Sequence, residues 1–177
     1  MRAILGEFST AQNATLVSLD IDGVLHASDA HFSAPDVSAS SVRMLHEAGL
    51  FRHGELLAKV LEEHPHVVVA VHSSWRLNHD LSTLRQLLGP VGPRLQYVTP
   101  TNLEREPSIR ALMSRPRLRT DQVVILDDVR TYFPTLKSRV MKCDRKLGLP
   151  SGIVRLRAAL GTAAQSVTDR EAPGNGN

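Results

Sequence analysis

Apolar and polar residues follow two different periods along this chain, and the two periods take turns. Residues 16–19, 67–71 and 123–126 are short apolar runs rich in β-branched side chains. Val67-Val68-Val69-Ala70-Val71 is apolar throughout, the pattern of a parallel strand covered on both faces. Shorter runs at 95–98 and 140–142 read as weaker strands. Between them lie stretches with helical spacing. Residues 42–48 predict a helix stopped by Gly49, and 55–62 a second helix ending before Pro65. Residues 81–88 stop at Gly89-Pro90, while 108–114 and 151–160 complete the helical set. Strands alternating with helices predict an α/β fold built on a doubly wound, mostly parallel five-stranded sheet.

The boundaries follow from composition. Residues 28–41 are rich in Ser, Ala, Asp and Pro and read as a loop ending in a helix N-cap. One domain is expected over 15–161, with an N-terminal extension over 1–14. The tail, 162–177, ends Ala172-Pro173-Gly174-Asn175-Gly176-Asn177 and reads as disordered.

At 177 residues and 42% hydrophobic, the chain can bury one core of ordinary size. Its one cysteine, Cys143, excludes an internal disulfide framework, suits a reducing compartment and reads as a packing residue. No stretch is long and apolar enough to span a bilayer, and residues 1–14 lack the apolar core of a signal peptide. A cytoplasmic location without a membrane partner is the expectation. The net charge is only +3, but thirteen Lys and Arg against five Asp and Glu between Arg105 and Arg157 give that stretch +8 and leave −5 elsewhere. Such asymmetry fits a surface for phosphates or nucleic acid, and equally an ordinary solvated face. Aromatic residues are only 4% of the chain, so stacking platforms for single strands are not evident.

In a doubly wound sheet, ligands bind beyond the carboxyl ends of the strands. Three of the strands here end in polar clusters: Asp20/Asp22, Ser73/Ser74 and Asp127/Asp128. Strand alternation would put Asp20 and Asp22 on one face, and Gly23 would let the backbone turn beside them. Paired carboxylates at a strand end repel unless a cation lies between them or one holds a proton. Acidic pairs, a hydroxyl and a base are the parts of phosphoryl transfer through an aspartyl-phosphate. A calcium EF-hand is excluded, because Gly23 follows Asp22 directly with no third ligand and no closing Glu. Of the eight histidines, none forms a zinc-type helix pair; His26 and His31 fall where a flap over the site would lie.

The sequence resembles the haloacid dehalogenase (HAD) superfamily, whose four motifs occur here in order. The resemblance makes Asp20 of DIDGVL the nucleophile and a metal ligand. It makes Asp22 the general acid/base, with its backbone carbonyl on the metal. Ser73 matches the phosphate-binding hydroxyl of the second motif, with Ser74 beside it. Asp127 and Asp128 match the fourth and complete a Mg²⁺ site. The third motif should supply a Lys or Arg; Arg105 has the favoured position, with Arg110 and Arg115 as alternatives. His72-Ser73-Ser74-Trp75-Arg76 is similar to the SSWR signature of a HAD group associated with RNA-repair proteins, and the stretch 143–149 also resembles that group. Within the signature, Trp75 reads as a packing anchor and Ser73 as phosphate ligand or helix cap. Arg76 would bind phosphate or pair with a site carboxylate.

The short spacing between motifs implies a three-layer HAD-like sandwich without a cap domain. An open site of that kind serves large substrates or takes its lid from a partner protein. The implied activity is a Mg²⁺-dependent phosphatase, with phosphorylated nucleic-acid ends as the sharpest substrate and phosphoproteins or small phosphomonoesters as others. The rival reading is a non-catalytic accessory module on the same scaffold.

Overall fold

The computed structural model describes residues 14–30, 36, 40–114 and 118–171. Five strands, β1 (Thr15–Leu19), β2 (Val67–Val71), β3 (Leu95–Val98), β4 (Val123–Asp127) and β5 (Val140–Lys142), form one sheet in the order β3-β2-β1-β4-β5. Every neighbouring pair is parallel. The chain direction across the sheet reverses at β1, so the crevice for a ligand lies beyond the ends of β1 and β4.

The helices are α1 (Val42–Glu47), α2 (Gly54–Glu62), α3 (Leu81–Leu87), α4 (Arg105–Ser114) and α5 (Ile153–Glu171). Alternation along the strands splits the core into two layers. Val17, Leu19, Val69, Val71, Val124 and Leu126 face a cluster containing Leu45 of α1, Leu57 of α2, Leu84 of α3 and Leu156 of α5. Leu16, Ala70, Val123 and Ile125 face the other way, onto Ile109 and Leu112 of α4 together with Phe133 and Leu136. The expected α/β sandwich with a doubly wound parallel sheet is therefore the fold.

Ser41 caps α1, its hydroxyl accepting from the Met44 N–H at 3.3 Å, so the loop does end in an N-cap. Two helices outrun their sequence-based limits. α4 starts at Arg105 rather than 108, because Pro107 falls in the first turn, where the missing N–H would have no helical partner. α5 continues to Glu171, past the start assigned to the tail; that stretch carries the helix formers Ala163-Ala164-Gln165 and has no Pro or Gly to stop it before Pro173. Residues 172–177, 1–13, His31 and Arg115 lie outside the described residues. Among the described residues, no helix is long and apolar enough to cross a membrane.

Candidate active site

Parity along three adjacent strands builds the centre. Leu19 of β1 is in register with Val71 of β2 and Leu126 of β4, so the next residues, Asp20, His72 and Asp127, come side by side. The main chain continues the pairing, with the Asp20 N–H donating to the Leu126 carbonyl at 2.9 Å and the His72 N–H to the Leu19 carbonyl at 3.0 Å. All three side chains share the α4 side of the sheet. α4 then delivers its first residue there. One Arg105 nitrogen, Nη1, donates to Asp20 Oδ2 at 2.5 Å and to Asp127 Oδ2 at 2.8 Å. The ring of Tyr132 lies against the same guanidinium, 4.9 Å from ring centre to Cζ.

The electrostatics follow from burial. Burial pushes the Asp20 carboxyl up from its ordinary range and the Asp127 charge adds to this, while Arg105 and His72 oppose. For Asp127, burial is outweighed by His72, Arg105 and the Val129 N–H, which hold its carboxyl below that range. Asp128 is pushed up by burial and by the charges of Asp127 and Asp20, against Arg145, whose Nε donates to its Oδ2 at 3.0 Å. Asp20, His72 and Asp127 offer ligand atoms within 4.8 Å of one another, so this buried group could hold a metal ion.

Asp22 bonds to different partners from Asp20. The strand ends at Leu19, and the N–H groups of Val24 and Leu25 both donate to the Ile21 carbonyl, so the chain is already turning. Strand alternation therefore stops before Asp22, which turns to the other layer. There its Oδ1 is 2.9 Å from His26 Nε2 and its Oδ2 accepts from Trp75 Nε1 at 3.1 Å. Gly23, at φ +74°, allows this turn.

Ser73 stands at the N-cap position of the tight turn Ser74–Leu77, yet its hydroxyl makes no cap bond. Ser73 is fully buried and Oγ finds no partner among the described residues. A buried hydroxyl left unpaired is costly, which argues for a ligand oxygen and against the capping reading. Ser74 is exposed and lines an open cleft of about 590 Å³ together with Arg76, Leu77, Asn102, Leu103 and Arg105. Arg76 meets backbone instead of a carboxylate, donating to the carbonyls of His72 (2.6 Å), Ser73 (2.9 Å) and Leu103 (3.4 Å). It ties the Ser73 turn to the loop before α4. Arg110 is taken up elsewhere, by Glu106 and Thr135, and Arg115 lies outside the described residues, so Arg105 is the described candidate that reaches the site carboxylates.

Four further residues meet the site carboxylates; of these the sequence placed His26 only in a flap over the site and Trp75 only as a packing anchor, and gave His72 and Arg145 no role of their own. His72 links Asp127, 2.9 Å from Nε2, to Ser18, 2.9 Å from Nδ1. His26 and Trp75 hold Asp22, and Trp75 is a packing anchor as well. Arg145 holds Asp128. Period two from Ala70 puts His72 on the Asp127 face, but only once the register is known. Trp75 and Arg145 lie in the stretches that carry the resemblance, but their partners Asp22 and Asp128 come from distant parts of the chain, while His26 meets Asp22 four residues back across the turn.

The family model for the HAD domain in Swiss Army Knife RNA repair proteins matches residues 16–152. No curated protein and no solved structure matches the chain.

Proposed function

Because the chain belongs to that HAD domain family, we propose that it is a Mg²⁺-dependent phosphohydrolase working through an aspartyl-phosphate on Asp20, with phosphorylated nucleic-acid ends as substrate. The observation that carries this reading is the pairing of Arg105 across Asp20 and Asp127 with the unpaired, buried hydroxyl of Ser73. An anionic ligand oxygen would satisfy that hydroxyl, and Arg105 would help neutralise the ligand's charge.

The donor set fits a small hard dication. Asp20, Asp127 and Asp128 supply carboxylate oxygens whose mutual repulsion a dication relieves, while His72 is engaged with Asp127 and Ser18. Asp20, Asp127 and Asp128, with the Asp22 carbonyl, would hold Mg²⁺; when bound, it supplies charge stabilisation at the phosphoryl oxygens. Asp20 attacks phosphorus while Arg105 and Ser73 hold the phosphoryl oxygens. Asp22 gives a proton to the leaving oxygen and then takes one from the water that cleaves the acyl phosphate. His72 orients Asp127, and Arg145 orients Asp128.

Support for a polyanionic substrate comes from the open cleft, which Arg76 and Arg105 help to line, and from exposed basic side chains around Asp128. Exposed Arg145 touches Asp128, and exposed Arg52 reaches the carbonyl of exposed Lys146 at 3.5 Å. The test compares kcat/KM for 5′- and 3′-phosphorylated oligonucleotides with that for free nucleotides and sugar phosphates. A preference for oligonucleotides that weakens as salt rises is expected. Equal rates on all of them would remove nucleic acid as the substrate.

A further inference from the structure

His26 is fully buried, and its two ring nitrogens have different neighbours. Nδ1 accepts the backbone N–H of Phe51 at 3.1 Å. An amide N–H can only donate, so the ring proton must sit on Nε2, which then donates to Asp22 Oδ1 at 2.9 Å. Phe51 itself is held at φ +61°, a left-handed conformation that a bulky residue rarely adopts. Indole Nε1 can also only donate, and that of Trp75 meets Asp22 Oδ2. Both donors are locked by packing. The Phe51 ring meets Trp75 edge-on at 4.9 Å and His26 edge-on at 5.5 Å, while His79 stacks on Trp75 at 5.5 Å.

The Asp22 side chain keeps 24% of its surface open while both of its oxygens are held from the protein side. We infer that His26 and Trp75 are positioning residues that fix the Asp22 carboxyl group for proton transfer, an inference that rests on the phosphatase reading above. A carboxyl group that cannot rotate keeps one lone-pair direction aimed at the reacting oxygen. In the first step the Asp20 Oδ–P bond forms, the bond from phosphorus to the leaving oxygen breaks, and that oxygen takes the Asp22 proton. In the second, a water oxygen bonds to phosphorus, the Asp20 Oδ–P bond breaks, and the water proton passes to Asp22. One turn of chain thus serves both needs, since Ser73 and Trp75 bracket the start of the same 3₁₀ turn.

The leaving group provides the test. An alkyl phosphate needs its departing oxygen protonated, whereas 4-nitrophenyl phosphate does not, and kcat/KM reports this first step in both. His26→Gln keeps an N–H donor near Nε2. His26→Asn keeps an acceptor near Nδ1 and loses that donor. Trp75→Phe keeps the ring and loses the N–H. His26→Asn and Trp75→Phe should lose roughly 10- to 100-fold on the alkyl ester and under about threefold on the nitrophenyl ester, and His26→Gln should recover most of the loss. Equal losses on both esters, or His26→Gln as impaired as His26→Asn, would overturn the inference while leaving the phosphatase reading intact. A wild-type protein inactive on both esters and on phosphorylated oligonucleotides would overturn that reading, and the inference with it. If His26→Asn does not fold, Trp75→Phe carries the same comparison.

Discussion

Gly23 and Asp128 share a space that only a glycine leaves open. A Cβ at position 23 would lie 2.6 Å from Asp128 Cγ, and φ there is +74°. The turn out of β1 and the acidic pair after β4 are therefore fitted to each other, although about a hundred residues separate them in sequence. Gly23→Ala should destabilise the fold by about 1–3 kcal/mol through backbone strain and crowding. It should also push Asp128 out of place and weaken Mg²⁺ binding. Urea denaturation with and without Mg²⁺ reads both effects.

Among the described residues, Arg105 is the cation that bonds both Asp20 and Asp127. Its removal leaves two buried carboxylates facing each other, a loss of about 3–5 kcal/mol where nothing replaces the partner. Arg105→Ala should therefore unfold at lower temperature than wild type without metal. It should then gain more from added Mg²⁺, because the dication relieves a larger repulsion. A thermal shift series in Mg²⁺ checks this, and an equal shift in both proteins would count against a metal between these carboxylates.

Glu106, next to Arg105, anchors α4. Its Oε2 accepts the Thr135 N–H at 3.0 Å and its Oε1 accepts Arg110 Nε at 3.0 Å and the Thr135 hydroxyl. Burial opposes ionisation, but the Thr135 and Arg110 bonds outweigh it and hold the carboxyl below the usual glutamate value of 4.5. A lowered folded-state value means that the unfolded chain binds the proton first. The stability Glu106 contributes is thus fully present above pH 4.5 and is lost as pH falls through the lowered value. Glu106→Gln should cost about 1–3 kcal/mol at neutral pH. Its denaturation midpoint should also fall less steeply on acidification than that of wild type.

Cys143 is 1% exposed, and burial pushes its thiol up to about 12. It should resist iodoacetamide at pH 8 in the folded protein and react in urea, as mass spectrometry would read.

Strands and acidic clusters were legible in the sequence for one reason. A buried parallel strand is a continuous apolar run, so Asp20, Ser73 and Asp127 stand out where the run breaks. Arg105 was legible only through the family resemblance, which asks for a Lys or Arg before β4 and left Arg110 and Arg115 as alternatives; the helix that carries it starts earlier than its apolar spacing does. What lay hidden depends on register and loops. His72 ends an apolar run and looks incidental until β2 is set beside β1 and β4. His26 and Trp75 meet Asp22 because the chain is already turning at Ile21; Gly23 announced a turn here, but not that it takes Asp22 out of the strand's alternation. Arg145 sits in a loop and reaches back across the site to Asp128.

The central claim is tested most directly by phosphomonoester hydrolysis with wild type, Asp20→Asn and Asp22→Asn, each with Mg²⁺ and with chelator. Hydrolysis by wild type in Mg²⁺ alone is expected, with none in either variant and unchanged circular dichroism. Full Mg²⁺-dependent turnover in Asp20→Asn would contradict an aspartyl-phosphate at that residue.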